Sequence, residues 1–263
     1  VTAIRRESDF LNVLSLTGLN AGGIHADEDS MEYFNVFLGD EADDVAVNGL
    51  GGADSWVQIF AGGGDDVIRV DNFVADPAAL LYIDGSSGND LIDAALSPVA
   101  VFATGGEDND RIYGSEYNDN LYGDSLDHTS GHDDIIIANG GNDFLAGGGG
   151  DDILVGDHGS ATFNEQGKLI GITSIDPEGG GNDVIDGGSG FNISFGGIGD
   201  DTIGGFGIDG ENVMLGDNGS GAFEIVAGRR VLNSIRTSGD IGGNDTLYSG
   251  AGNDSLFGGR GDD

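Results

Sequence analysis

The stretch Gly196-Gly-Ile-Gly-Asp-Asp-Thr-Ile-Gly204 contains the pattern that decides the fold of this chain. The same nine-residue pattern, G-G-x-G-(N/D)-D-x-U-x with U a large apolar residue, recurs at Gly147–Val155 and less regularly at Gly187–Phe195. A fixed short period predicts a solenoid, in which each repeat forms one unit and buries its apolar side chains against its neighbours.

Copies of the repeat align by their sixth position over most of the chain. The eighth position is apolar in nearly every copy, with Ser194 as the exception, and it includes Trp56 and Met214, which we therefore expect in the core. Two columns in register make this a strong signal. The sixth position holds Asn192, Asn212 and fourteen candidate metal ligands: Asp44, Asp54, Asp66, Asp90, Asp110, Asp119, Asp134, Asp143, Asp152, Asp183, Asp201, Asp245, Asp254 and Asp263.

Each part of the repeat has a physical role. Positions 7 to 9 are long enough for a short strand whose eighth side chain points inward, because side chains alternate along a strand. Positions 1 to 6 form a turn, and Gly at positions 1, 2 and 4 permits positive φ and close approach of backbones. Such a turn directs carbonyl oxygens and the sixth-position carboxylate to one point. Ligands that are all oxygen favour Ca²⁺ over zinc or copper.

The repeats resemble those of the RTX β-roll family, which occur in secreted bacterial toxins, proteases, lipases and adhesins. The resemblance covers residues 39–263 and implies an all-β fold, a right-handed parallel β-roll or β-helix solenoid with two nonapeptides per turn of the coil. It also implies Ca²⁺ ions between successive turns, bound by the sixth-position Asp and by carbonyls, together with type I secretion and folding that waits for calcium. Asn192 with Ser194, and Asn212, then predict weakened or absent sites.

Several segments depart from the repeat. Residues 1–38 lack it and read as a β segment that serves as a cap or as a strand between subunits. Residues 70–84 and 94–104 are interruptions. Residues 160–177 and 220–239 read as β-hairpin insertions, with turns at Glu165–Gly167 and at Ala227–Gly228.

Insertions in a solenoid map to one face, which is often a binding face. The second hairpin carries Arg229, Arg230 and Arg236 among only 9 basic residues. These arginines are either a docking patch for an acidic neighbour or charges that keep a hairpin edge soluble.

Composition excludes several classes of function. The formal net charge is −38, so direct binding to nucleic acid or to anionic membrane surfaces is disfavoured. Cys is absent, which excludes disulfides and thiolate metal sites. No apolar run is long enough for a membrane helix. We find no catalytic motif and expect no enzyme activity.

The sequence therefore predicts an extracellular, calcium-binding structural or adhesive repeat protein that folds on binding Ca²⁺. The chain stops at the sixth position of a repeat, at Asp263. This end is expected either to continue in a longer chain or to be completed by another copy, head to tail, in a filament or surface array. The alternative function is a secretion and folding module of a larger secreted enzyme or toxin.

Overall fold

We describe a computed structural model of the chain, which covers residues 12–15, 33–49, 55–73, 75, 78–125, 131–175, 180–204, 210–238 and 242–263. Regular secondary structure in these residues consists of strands. In chain order they are β1 (Asn12–Ser15), β2 (Tyr33–Phe37), β3 (Asp44–Val47), β4 (Trp56–Phe60), β5 (Val67–Val70), β6 (Leu80–Ser87), β7 (Leu91–Asp93), β8 (Val101–Glu107), β9 (Arg111–Tyr113), β10 (Asn120–Asp124), β11 (Ile135–Ile137), β12 (Phe144–Ala146), β13 (Ile153–Val155), β14 (Gly159–Phe163), β15 (Leu169–Ser174), β16 (Val184–Asp186), β17 (Ile193–Gly197), β18 (Thr202–Ile203), β19 (Val213–Asp217), β20 (Gly219–Val226), β21 (Arg229–Thr237), β22 (Thr246–Leu247) and β23 (Ser255–Phe257).

Successive strands of the coil alternate between two parallel sheets. Sheet A has ten strands in the order β1-β2-β4-β6-β8-β10-β12-β16-β18-β22, and sheet B has nine in the order β3-β5-β7-β9-β11-β13-β17-β19-β23. One strand of each sheet with its two six-residue turns forms a layer. The predicted all-β parallel solenoid is thereby confirmed.

The interior of the coil is lined by the eighth-position side chains of both sheets. Ile68, Ile136, Leu145 and Leu154 are completely buried, and Met214 is 2% exposed, as predicted. Ser194 is also buried and pairs with Leu154 and Met214 in the ladder. Because each layer is only two strands wide, these side chains bury their apolar surface mainly against the layers before and after.

The coil begins earlier than residue 39. Strand β2 pairs in parallel with β4, and β1 pairs in parallel with β2, so strands of the predicted N-terminal segment continue sheet A. The predicted interruptions at 70–84 and 94–104 overlap β6 and β8, which are long strands of the same sheet. Trp56 was wrongly predicted in the core: it is 39% exposed, and Val57 and Ile59 of β4 point inward instead.

Both predicted hairpins are present, and they join. The first is β14–β15 and the second is β20–β21, with Ala227 and Gly228 at the tip. β15 also pairs with β20, so the two insertions form one four-stranded antiparallel sheet. This hairpin sheet covers the outer face of sheet B, where Ile137, Val155 and Phe195 are completely buried.

Candidate calcium sites

Sixth-position side chains form two rows along the coil, one at the start of each sheet's strands. In both rows, an Oδ1 atom accepts a hydrogen bond from the backbone N–H of the sixth-position residue one layer earlier, at 2.6–3.1 Å. The long row, before sheet B, contains Asp43, Asp66, Asp90, Asp110, Asp134, Asp152, Asn192, Asn212 and Asp254. The short row, before sheet A, contains Asp119, Asp143, Asp183, Asp201, Asp245 and Asp263.

Of the fourteen predicted ligands, the structure corrects one, and one lies outside the described residues. Asp44 is not in the long row: it is the first residue of β3, its side chain is 59% exposed, and it pairs with Arg69 at 2.6 Å. The preceding residue, Asp43, is 4% exposed and takes the place in the row. Asp54 lies outside the described residues. The other twelve predicted residues all belong to one of the two rows.

The second carboxylate oxygen is what makes these rows chemically unusual. In nine of the Asp residues, Oδ2 is buried and has no hydrogen-bond partner within the described residues: Asp66, Asp90, Asp110, Asp134, Asp143, Asp152, Asp183, Asp201 and Asp245. Burying an ionised oxygen without a donor or a cation costs several kcal/mol. The repetition of this feature points to a ligand that these oxygens share.

First-position glycines form the other wall of each site. A Cβ added at Gly156 would overlap Asp183 Oδ2 and would lie 2.6 Å from the carbonyl oxygen of Gly196, one layer later. The equivalent Cβ on Gly147 would overlap Asp152 Oδ2 and lie 2.7 Å from Gly187 O. The space beside each glycine is therefore a cradle lined by one carboxylate oxygen and one carbonyl oxygen.

The same cradle recurs along both rows. It pairs a glycine with a buried orphaned Oδ2 at Gly85 with Asp90, Gly105 with Asp110, Gly123 with Asp134, Gly147 with Asp152, Gly156 with Asp183, Gly196 with Asp201 and Gly216 with Asp245. Within the described ranges, no three His, Asp or Glu side chains converge on one point. A cation in a cradle would therefore take its remaining ligands from backbone carbonyls, as a flexible oxygen cage for Ca²⁺ does.

Burial raises the pKa of the nine row carboxyls with an orphaned Oδ2, because it disfavours their charged form. Desolvation raises the pKa of Asp183 to about 7, of Asp201 to about 8 and of Asp110 to about 9. Neighbouring carboxylates add to the effect, as Asp134 and Asp90 do at Asp110. A divalent ion that binds these carboxylates would therefore compete with protons.

Some members of the rows lack the cradle. Asn192 donates from Nδ2 to the carbonyl of Gly188 at 3.3 Å, so an amide occupies the place of the orphaned oxygen. At Asp119, Oδ2 accepts from the N–H of Ser115 at 2.5 Å, and the Ser115 hydroxyl donates to Oδ1 at 2.9 Å. This arrangement supports the prediction of a weakened or absent site at Asn192, and it adds Asp119 to the residues without a free oxygen.

The short row does not extend into the first layers of the coil, where apolar residues hold the equivalent places. In the ladder of sheet A, the places equivalent to Asp119 in earlier layers are held by Val101, Leu81 and Val57, all buried. The first positions of the matching turns are held by Val47, Val70 and Ala94 instead of Gly, and these residues are buried as well. Both walls of the cradle are replaced together, so on this side the first layers are closed by hydrophobic packing.

A further row of side chains, at the fifth position, was not predicted. Asn89 N–H donates to Asp65 Oδ1 at 2.9 Å, and Asp151 N–H donates to Asp133 Oδ1 at 2.9 Å. On the other side, Asp200 N–H donates to Asn182 Oδ1 at 2.9 Å. The alternation of Asn and Asp at this position in the repeat is the signal that would have identified it, because both residues offer the same acceptor.

Comparison with known proteins agrees with this geometry. The family model of the RTX calcium-binding nonapeptide repeat matches in four copies, at residues 104–125, 128–162, 179–205 and 242–263. No curated protein and no solved structure matches the chain. In the part of the chain that the structure describes, no helix is long and apolar enough to span a membrane.

Proposed function

This chain is an RTX-repeat protein whose repeats bind multiple Ca²⁺ ions, and from this premise we propose that it is an extracellular structural or adhesive coil whose folding is driven by calcium. The observation that supports the proposal is the line of buried carboxylate oxygens with no donor. A coil with these oxygens and a net charge of −38 repels itself until cations enter the cradles.

A bound Ca²⁺ ion would bring two positive charges to each site, and it prefers oxygen ligands. In the proposed sites, the row Asp contributes Oδ2, and the first-position residue of the following layer contributes its carbonyl oxygen. The row Oδ1 holds the N–H of the preceding layer, which fixes the rotamer of the carboxylate. We propose as ligands the Asp residues of the seven glycine cradles, with Asp254 and Asp263 at the last turns of the two rows.

Localisation follows from the concentration at which such sites fill. Repetitive carboxylate and carbonyl sites in extracellular modules bind calcium near millimolar levels, far above cytosolic levels. The chain would then remain unfolded in the cytosol and fold outside the cell. We propose no catalytic role for it, and we propose that it does not bind nucleic acid, because its charge repels phosphate.

A calcium titration followed by circular dichroism tests the folding switch. The far-ultraviolet spectrum should change from disordered in EGTA to β in millimolar Ca²⁺, because each site occupied at ten times its Kd adds about 1.4 kcal/mol to the stability of the folded coil. Magnesium at the same concentration is the control, since it prefers a small octahedral shell with water. A complete β spectrum in EGTA would contradict the proposal.

Association with further copies and adhesion remain predictions. Negative-stain imaging in Ca²⁺ and then in EGTA is the suitable observation for the head-to-tail filament.

A further inference from the structure

Three turns are interrupted by an insertion after their second residue. In each of them the second residue is an Asp: Asp124, Asp157 and Asp217. These side chains are 1%, 1% and 4% exposed. In the uninterrupted turns the second position holds a neutral residue, as at Gly148 and Gly188. In these three turns, which begin with Gly-Asp, an acidic residue at the second position therefore accompanies the exit of the chain from the coil.

In an uninterrupted turn, the second residue contributes its backbone carbonyl to the next layer. Gly148 O accepts a hydrogen bond from the third-position N–H of Ser189 at 2.8 Å. Gly62 O accepts from Ser87 N–H at 3.0 Å in the same way. A Cβ added at Gly188 would overlap Gly148 O, so this oxygen lies on the inner side of the turn, against the next layer.

In an interrupted turn, a carboxylate oxygen takes the place of that carbonyl. Asp124 Oδ2 accepts from the third-position N–H of Gly149 at 2.6 Å. Asp157 Oδ2 accepts from Ile198 N–H, and Asp217 Oδ2 accepts from Arg260 N–H at 2.5 Å. The donor is the third-position N–H of the next layer in all three cases. The side chain thus replaces a main-chain oxygen that the departing backbone no longer provides.

Each of these Asp residues also adjoins a cradle. Asp157 follows Gly156, beside which the buried and orphaned Oδ2 of Asp183 lies, and Asp217 stands in the same relation to Asp245. Asp124 follows Gly123, and Asp134 Oδ2 lies beside that glycine. The orphaned oxygen of each row residue is therefore aimed at the Gly–Asp step that opens the insertion.

Hydrogen bonding explains part of the choice of Asp, because both carboxylate oxygens of Asp157 and of Asp217 accept a backbone N–H: from Gly181 and Ile198 at Asp157, and from Gly243 and Arg260 at Asp217. These bonds still leave a second buried carboxylate beside an orphaned one, which adds repulsion. Desolvation is the main cause that raises the pKa of Asp183, and the negative charge of Asp157 adds to it. A divalent cation between the two carboxylates removes that repulsion and satisfies both oxygens.

We propose that Asp124, Asp157 and Asp217 are calcium ligands that act in pairs with Asp134, Asp183 and Asp245. Each supplies the oxygen that a backbone carbonyl supplies in an uninterrupted turn. The proposal rests on calcium binding in the cradles, and it adds ligands that the nonapeptide pattern does not contain. It also explains how the coil accommodates three insertions without losing a calcium site at each of them.

The test is to count bound Ca²⁺ ions by native mass spectrometry of the full chain in the single variants Asp157→Asn and Asp183→Asn and in the double variant. Asn removes the charge of Asp157 and retains one of the two acceptor oxygens that hold Ile198 N–H and Gly181 N–H, so ions are counted in variants whose circular dichroism in Ca²⁺ shows an intact coil. We expect each single variant to bind one ion fewer than the wild type, and the double variant to lose no more than either single one, since both residues hold the same ion. Asp200→Asn is the matched control, because its fifth-position row already contains Asn182 and Asn244.

The outcomes separate this inference from the proposed function. If Asp183→Asn loses an ion and Asp157→Asn loses none, the inference is overturned while the cradle remains supported. If neither variant loses an ion, the assignment of the cradle itself fails. If an Asp157 variant does not fold, Asp217→Asn and Asp245→Asn form an equivalent pair, and the same comparison applies to it.

Discussion

The first-position glycines are needed for space rather than for backbone conformation. Gly156 does not adopt a left-handed φ, so alanine would fit its backbone, but the added Cβ would occupy the cradle beside Asp183. Its role differs from that of Gly148 and Gly150, whose φ values of +106° and +112° favour glycine on conformational grounds. The two kinds of glycine predict different effects on substitution.

Gly156→Ala should therefore bind one Ca²⁺ fewer while keeping the fold of the remaining layers. Loss of one well-filled site removes about 2.7 kcal/mol, which corresponds to a melting temperature lowered by roughly 5–10 °C in calcium. Calcium counting and thermal denaturation at fixed Ca²⁺ measure both effects. Gly49→Ala is the control, because no atom lies within 4 Å of its added Cβ. Equal ion counts in the two variants would refute the cradle.

Two turns of the coil already have alanine in place of the first-position glycine. Ala61 and Ala138 hold the first positions of the turns that end at Asp66 and Asp143, and both alanines are completely buried. The Oδ2 atoms of these two Asp residues are buried without a partner, as in the glycine cradles. The pKa of Asp143 is raised to about 9, mainly by desolvation, so at neutral pH a proton on this carboxyl is the expected alternative to a cation.

At this scale, the sequence predicts which residue types line the sites and errs by one position where the repeat is degenerate. Only one glycine, Gly39, precedes the pair Asp43-Asp44 in its turn, so the pattern that sets the register elsewhere does not decide which Asp holds the sixth position. The structure assigns Asp43 to the row, because side chains alternate along β3 and Val45 and Val47 point inward. The second-position Asp residues were visible as Gly-Asp steps, but their carbonyl-like role depends on contacts between layers.

Among the elements, the first layers differ from the rest in how they are closed. Leu81 of β6 is 2% exposed and lies where later layers have a row Asp, whereas its neighbour Leu80 is 56% exposed. The loops before β6 and β8 add Ala79 and Val99 to the same core. This part of the coil relies on apolar burial, which does not require calcium.

Leu81→Ala should destabilise the coil by about 2–5 kcal/mol through loss of buried surface and a residual cavity. Its calcium count should equal that of the wild type, because no cradle contains this side chain. Urea denaturation at saturating Ca²⁺, combined with ion counting, measures the two quantities. Leu80→Ala is the matched control and should change stability little. A lost ion in Leu81→Ala would mean that the first layers do bind calcium on this side.

The elements show where sequence reasoning was sufficient and where it was not. Both hairpins and their turns were predicted from local patterns of apolar arms and polar tips. Their union through β15 and β20 was not, because pairing between insertions separated by two layers leaves no local signal. The sequence does contain one indication, the run Ile135–Ile137, because a strand with no polar side chain needs a cover on each face.

The second hairpin also turns one of its arginines inward. Arg230 donates to the carbonyl of Asp151 and lies 5.7 Å from the centre of the Phe223 ring. Arg229 and Arg236 are exposed. Arg230 therefore fastens the hairpin sheet to the coil, while the other two remain available for the solubility or docking role that their positions predict.

For the whole molecule, stability should depend on pH in opposite ways without and with calcium. In the rows, the folded-state pKa is raised from 3.8 to about 6 at Asp66, about 7 at Asp90 and about 9 at Asp143, in each case mainly by desolvation. A raised value means that the folded state binds more protons than the unfolded chain above pH 4. Stability in EGTA is therefore greatest below about pH 4 and is lost as pH rises through these values.

In saturating Ca²⁺ the dependence should reverse, because calcium binds the ionised carboxylates and displaces their protons. Raising the pH from 5 to 8 should therefore tighten calcium binding and raise the melting temperature. Thermal scans over this range, with Ca²⁺ and with EGTA, provide the measurement. Parallel curves in the two conditions would show that the row carboxyls do not titrate in exchange for calcium.

The architecture of the whole molecule was predictable because its period is explicit in the sequence, whereas the asymmetry between its two rows was not. A net charge of −38 indicates many anionic sites but not their placement. Each bound Ca²⁺ would offset two of these charges, and the proposed sites lie along lines fixed by the stacking of layers. The apolar first layers on the side of the short row include residues 70–84 and 94–104. The sequence identifies these residues as interruptions of the repeat, but it does not show that they continue sheet A.

The hydrogen bonds of the rows have a direction, and this gives defects a direction too. Asp201 Oδ1 holds the N–H of Asp183 in the layer before, while the N–H of Asp201 is held by Asp245 in the layer after. Removing the Asp201 carboxylate orphans the amide of Asp183 and leaves the acceptor of its own amide intact. A lost sixth-position carboxylate therefore weakens the layer on its N-terminal side. The fifth-position row runs in the opposite direction, since Asp200 N–H is held by Asn182 in the layer before, so the two kinds of row secure each layer from both neighbours.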